Sequence, residues 1–210
     1  MNTITGAVTR KEAKYKKAAA VAKVADLNAI NAKYTFAVTG EGIYTGWTGG
    51  NVEKIAGKYG TEAKKIILAE LKSNGIKATA RTGKGYTESF HFTITVPAEY
   101  MKSREDFIAE RLQEPHFGSI GTTWFYDTDG TEVYYEKLFD MEAADRERIM
   151  RATYEKEYTW AVENNAADIV NEDFVKAVKT IVSSFNSDHS NLMVDYYDVR
   201  FYADYKWRAA

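Results

Sequence analysis

The stretch at residues 63–96, AKKIILAELKSNGIKATARTGKGYTESFHFTITV, changes its hydrophobic period part-way along, and that change decides the fold. Ile66, Ile67, Leu68 and Leu71 form the apolar side of a helix that Asn74-Gly75 stops. Two strands follow, over residues 76–82 and 89–96, with Gly83-Lys84-Gly85 in the turn region. Phe90, Phe92, Ile94 and Val96 recur with period two, so one face of the second strand is buried. His91 is opposite in phase and faces solvent or the other side of the sheet. These features predict an α+β fold, a mostly antiparallel sheet packed against helices.

Working outward, Thr9-Arg10-Lys11-Glu12 has the form of a capping box and opens an Ala-rich helix over residues 11–30. Residues 34–38 and 43–47 read as strands around a Gly40-Glu41-Gly42 turn, and Gly49-Gly50 breaks the second. A helix over residues 51–73 is interrupted near Gly57-Lys58-Tyr59-Gly60. Ser103, with Asp106 three residues on, caps a short helix that carries Phe107, Ile108 and Leu112 and ends at Pro115. Residues 122–126 and 132–135 flank Asp129-Gly130, the strongest hairpin signal in the chain. A charged helix over residues 141–164 bears a Met150, Tyr154, Tyr158 stripe, and Asn171 caps a helix with Phe174, Val178, Ile181, Val182 and Phe185 on one face. A tyrosine-rich strand over residues 194–205 closes the chain. No repeat or linker divides it, so residues 1–210 form one α+β domain, with an acidic β-hairpin and helix inserted as a lobe at about residues 117–165.

Apolar residues make up 45% of the 210 and charged residues 28%, the balance of a folded globular chain. There is no cysteine, which excludes disulfides, Cys-zinc sites and thiol nucleophiles. No targeting segment or membrane span is expected, which fits a soluble protein of the cytoplasm. The net charge of −2 conceals a segregation. Residues 1–100 hold 15 Lys or Arg against 8 Asp or Glu, and residues 101–175 hold 8 against 18. A basic and an acidic face would steer partners of opposite sign; alternatively the two halves pack together and neutralise each other.

Two segments carry a family resemblance. The first is the helix-strand-strand run Ala63 to Lys72, Ile76 to Arg81 and Glu88 to Ile94. The second is Ile181-Val182-Ser183-Ser184-Phe185-Asn186-Ser187-Asp188-His189-Ser190 leading into Asp195-Tyr196-Tyr197-Asp198-Val199-Arg200-Phe201-Tyr202. Together they resemble the small α+β module of large polyvalent proteins, and of stand-alone proteins, in phages and conjugative elements. The module core would lie at about residues 60–97 and 172–205. The block between Glu99 and Asn171 exceeds what the module needs, and residues 1–50 lie outside it. The resemblance implies a mobile-element origin and a role against host defence, and it implies no reaction.

Several motifs invite a chemical reading. Asp188-His189-Ser190 contains the residue types of a triad, but adjacent residues in a turn cannot adopt its geometry, so they read as turn formers. His91, His116 and His189 lack zinc-site spacing, and Gly83-Lys84-Gly85 and Gly46-Trp47-Thr48-Gly49-Gly50 match no phosphate loop. No catalytic set, metal site or cofactor is therefore expected. The chain has 15 Tyr, 10 Phe and 4 Trp, residue types that fill cores and also anchor interfaces or stack on bases. Trp124, Tyr126, Asp127, Asp129, Glu132, Tyr134 and Tyr135 around the hairpin turn form the candidate partner-binding edge. The reading that follows is a non-enzymatic phage or mobile-element accessory protein. It would bind and inhibit a basic, nucleic-acid-handling bacterial defence complex, as anti-CRISPR or antirestriction proteins do. The alternative is a nucleic-acid-binding module for replication or transfer that uses the basic N-terminal half.

Overall fold

The computed structural model describes residues 26–40, 45–83, 88–113, 124–190 and 198–210. The fold is α+β, with open sheets covered by helices. Asp26 accepts a hydrogen bond from the Asn28 amide and starts α1 (Leu27–Lys33). The sequence predicts a continuous helix over residues 11–30; residues 11–25 lie outside the described residues, and the structure corrects the rest. Asp26 has ψ of 120° and leaves the helical region, because its side chain is spent on capping a new helix.

β1 (Phe36–Thr39), β2 (Gly46–Gly49) and β7 (Ser187–Asp188) form one antiparallel sheet in the order β1-β2-β7. At the Gly49-Gly50 break, β2 crosses the end of a helix so closely that a Cβ on Gly49 would lie 2.3 Å from the Ser184 carbonyl oxygen. Only glycine lets the two backbones approach this way. Asn51 then donates its amide to Ser184 O at 2.8 Å. The predicted interruption follows: a 3-10 turn at Val52–Ile55, then α2 at Gly60–Ser73.

The second sheet combines β3 (Lys77–Thr82), β4 (Ser89–Val96) and β8 (Tyr202–Ala209), with β4 in the centre. β3 pairs antiparallel to β4, whereas β8 runs parallel to it, from Ser89 opposite Tyr202 to Val96 opposite Ala209. The last strand predicted over residues 194–205 is thus displaced towards the C-terminus, with residues 191–197 outside the described residues. It is displaced because β8 pairs along all eight residues of β4. Phe201 and Trp207, both buried, continue the inward phase of that strand.

Phe90, Phe92, Ile94 and Val96 are buried to within 1% of their surface, as their period predicts. The helices that cover them are α2, which brings Ile67 and Leu71, and α6 (Glu172–Ser183), which brings Phe174, Val178 and Ile181. Asn171 caps α6 by accepting from the Phe174 amide at 3.1 Å. α3 (Arg104–Gln113) is capped by Ser103 Oγ, which accepts from the Asp106 amide. The hairpin strands are β5 (Trp124–Tyr126) and β6 (Glu132–Tyr134), followed by the short α4 (Tyr135–Phe139) and the long α5 (Ala143–Asn164). Met150 and Tyr154 are buried, and Tyr158 packs at 5.5 Å from the Phe107 ring, so this stripe serves the core. The apolar residues of the hairpin and α5 join the same buried cluster as those of the sheets.

Candidate partner-binding surface

The hairpin is short and held from beneath. Phe125 and Val133 are opposite each other in register and both are buried. Thr153 on α5, itself buried, accepts the Tyr126 amide at 2.8 Å and donates to Ile149 O at 3.0 Å. At the tip Gly130 has φ of 89°, a conformation that glycine adopts without strain and the reason Asp-Gly marks this turn. Asp129 accepts the Thr131 amide at 2.8 Å, and the Asp127 amide donates to Thr131 O.

The alternation that buries Phe125 and Val133 turns Tyr126 and Glu132, which are register partners, to the outside. Tyr134, paired with Trp124, is 48% exposed. The side chains of Trp124 and Tyr135 lie outside the described part of the structure; their backbones belong to β5 and α4. The structure therefore brings Tyr126, Asp127, Asp129, Glu132 and Tyr134 onto one small ribbon.

The acidic residues of the turn are not equivalent. The Thr128 amide and the Arg148 guanidinium, against a smaller opposing effect of desolvation, hold Asp127 below the ordinary aspartate range. The Thr131 amide does the same for Asp129. Both carboxylates are thus tied into the turn, and Asp127 is also neutralised by a cation of α5. Glu132, Glu136, Asp140, Glu142 and Glu163 have no cation within ion-pair distance among the described residues. Where α5 meets α3, ion pairs bridge the two helices, Arg104 with Glu155 at 2.6 Å and Glu105 with Arg151 at 3.3 Å.

Beside the turn lies a shallow depression of about 530 Å³ between the hairpin and α5, lined by Arg104, Asp127, Thr128, Lys156, Trp160 and Glu163. Lys156 sits over the Tyr126 ring at 4.1 Å, which links hairpin and helix through a cation–π contact. Trp160 is 55% exposed. It is the residue that sequence reasoning missed. On a wheel of 100° per residue it falls between Ile149 and Thr153, which are both buried, so the pattern of the helix carries no signal for its exposure.

Among the described residues, no cluster of three or more His, Asp or Glu side chains is placed to hold a metal ion. No helix among them is long and apolar enough to cross a membrane. Asp188-His189-Ser190 builds a loop: Asp188 accepts the Ser190 amide at 3.0 Å, and His189 Nε2 meets Thr48 Oγ1 at 2.9 Å. Comparison of the chain with family models, with curated proteins and with solved structures finds no match.

Proposed function

We propose that the protein acts without catalysis, by binding a protein partner through the hairpin and the outer side of α5. The observation that carries this reading is Trp160, an exposed indole at the edge of a depression whose other wall is the Asp127-Thr128 turn. An exposed tryptophan and tyrosine on a preformed surface are the residue types that anchor protein interfaces. The unpaired carboxylates around them favour a basic partner and speed its approach. The resemblance of residues 181–202 to the mobile-element module supports a bacterial host cell as the setting. It favours a defence complex that handles nucleic acid as the target, with inhibition as the outcome.

The test compares immobilised wild-type protein with Trp160→Ala and with the double variant Glu132→Lys/Glu163→Lys, each exposed to purified candidate complexes. Glu132 and Glu163 are chosen because their carboxylates make no internal bond among the described residues, so both variants should melt with the wild type. Trp160→Ala should raise Kd by about 30-fold or more, as truncation of an anchor of about 2 kcal/mol does. The double variant should lose association rate, most of all at low salt. Unchanged binding by both variants to a partner that the wild type holds would move the interface elsewhere.

A further inference from the structure

The β3-β4-β8 sheet turns one face to the helices, and its other face carries exposed side chains that no described element covers. The register places Lys77 and Arg208 in one row across the strands, Lys206 in the next, and Arg81, His91 and Asp204 in the third. Tyr202 closes the far end opposite Ser89. Short threonines occupy the positions between, and the Lys, Arg, His, Asp and Tyr side chains are all exposed. Strand geometry spaces successive residues on this face by about 7 Å, and outer strands by about 10 Å.

The charges on this face do not balance. Asp204 is its carboxylate, and His91 Nδ1 holds it at 2.9 Å. Lys77, Arg81, Lys206 and Arg208 have no carboxylate partner among the described residues, in contrast to Arg104, Arg111, Arg148 and Arg151 of α3 and α5. Four cations held on a rigid sheet raise the local concentration of anions, and nothing within the described fold answers them.

We propose that this face binds a single-stranded nucleic acid, its phosphates lying along Lys77, Arg81, Lys206 and Arg208 and a base stacked on Tyr202. The face of a three-stranded sheet offers no helix or two-stranded ribbon to enter a duplex groove, which disfavours double-stranded DNA. A flexible single strand lies along such a platform, and an exposed aromatic ring stacks on any base. The surface shares no residue with the proposed hairpin and α5 contact, although the Trp207 amide of β8 donates to Asn165 O at the end of α5, so this inference is tested independently by its own variants.

The experiment is fluorescence anisotropy with labelled oligo-uridine, oligo-deoxythymidine and a DNA hairpin duplex, between 50 and 300 mM salt. The single strands should bind more tightly than the duplex, and a preference between the two names RNA or DNA as the ligand. With four phosphate contacts, log K should fall with log salt at a slope of about −3. The quadruple variant Lys77→Gln/Arg81→Gln/Lys206→Gln/Arg208→Gln should bind at least tenfold more weakly at 50 mM salt and lose that slope. Tyr202→Ala should weaken binding about fivefold or more and keep the slope. Lys176→Gln/Lys179→Gln, on α6, should bind as the wild type. If the quadruple variant melts early, Arg208→Gln alone should lower the slope by about 0.7. The proposal is overturned if the wild type fails to bind at 50 mM salt, or if the sheet variants bind as tightly as it does. Displacement by poly-glutamate as effective as by oligonucleotide would overturn it in favour of an acidic protein chain.

Discussion

Asn186 shows how one side chain joins two distant parts of this chain. Its amide nitrogen donates to Phe201 O at 2.9 Å, and its Oδ1 accepts from the Phe201 amide at 3.1 Å and the Ser187 amide at 2.9 Å. Phe201, fixed this way, packs its buried ring 5.1 Å from that of Phe90. Its neighbour Arg200 donates to Ile55 O at 2.6 Å. The Phe-Asn and Val-Arg-Phe residues of the tail resemblance thus do structural work here. Asn186→Ala should lower stability by about 2–3 kcal/mol, since it leaves partly buried backbone groups unpaired. Urea unfolding with an unchanged midpoint would contradict that role. A second local network has a pH signature. Burial works to raise the Glu70 carboxyl, but the Tyr34 hydroxyl at 2.6 Å and the Lys33 ammonium at 3.0 Å outweigh it and hold it below its ordinary value. A depressed carboxylate stabilises the fold above its unfolded value, and that stability is lost as pH falls through the lower folded value. Stability lost below about pH 4.5 in the wild type should shrink in Glu70→Gln, with the difference measured by melting at pH 7 and pH 3.5.

Among the elements, α6 carries the most weight in the core. Phe174, Ala177, Val178, Ile181 and Val182 are all buried, and its C-terminal end receives β2 at Gly49. Ile181→Asp would place a carboxylate where water does not reach, at a cost of about 4 kcal/mol or more. Circular dichroism should show loss of cooperative melting at 25 °C; a melting curve like the wild type's would refute the packing. The helices α3 and α5 behave differently, because ion pairs bridge their outer surfaces. Exposed pairs of this kind contribute little each, so α5 relies on Ile149, Met150 and Tyr154 beneath. Asn165 ends α5 in the left-handed region at φ 54°, a conformation asparagine tolerates better than most residues.

At the scale of the molecule, the two proposed contacts draw on different residues. Glu132 and Glu163, which have no cation within ion-pair distance among the described residues, lie on the hairpin and α5, while Lys77, Arg81, Lys206 and Arg208 lie on the outer sheet face. The two proposed contacts should therefore separate. The quadruple sheet variant should keep any protein partner that wild type binds, and Trp160→Ala should keep oligonucleotide binding. Loss of both contacts in one variant, at unchanged melting temperature, would show a single shared surface.

Much of this was legible along the chain. The α2-β3-β4 unit, the Asn171 and Ser103 caps, the Asp129-Gly130 turn and the buried face of α6 all follow from residues two to four positions apart. Periodicity and capping act over that distance, so the sequence alone determined these elements and the α+β class. The hairpin was legible too, though not that Asp127 would be neutralised by Arg148, twenty-one residues away. Tertiary structure decided the rest. The parallel pairing of β8 with β4 joins residues more than a hundred positions apart, and no local pattern encodes its register. That pairing sets Lys206 and Arg208 beside Lys77 and Arg81, and the packing of α5 against α3 leaves Trp160 in solvent. A surface is made by whichever residues the fold leaves uncovered together, so the sheet face and the place of Trp160 beside the hairpin became readable only once the chain was assembled.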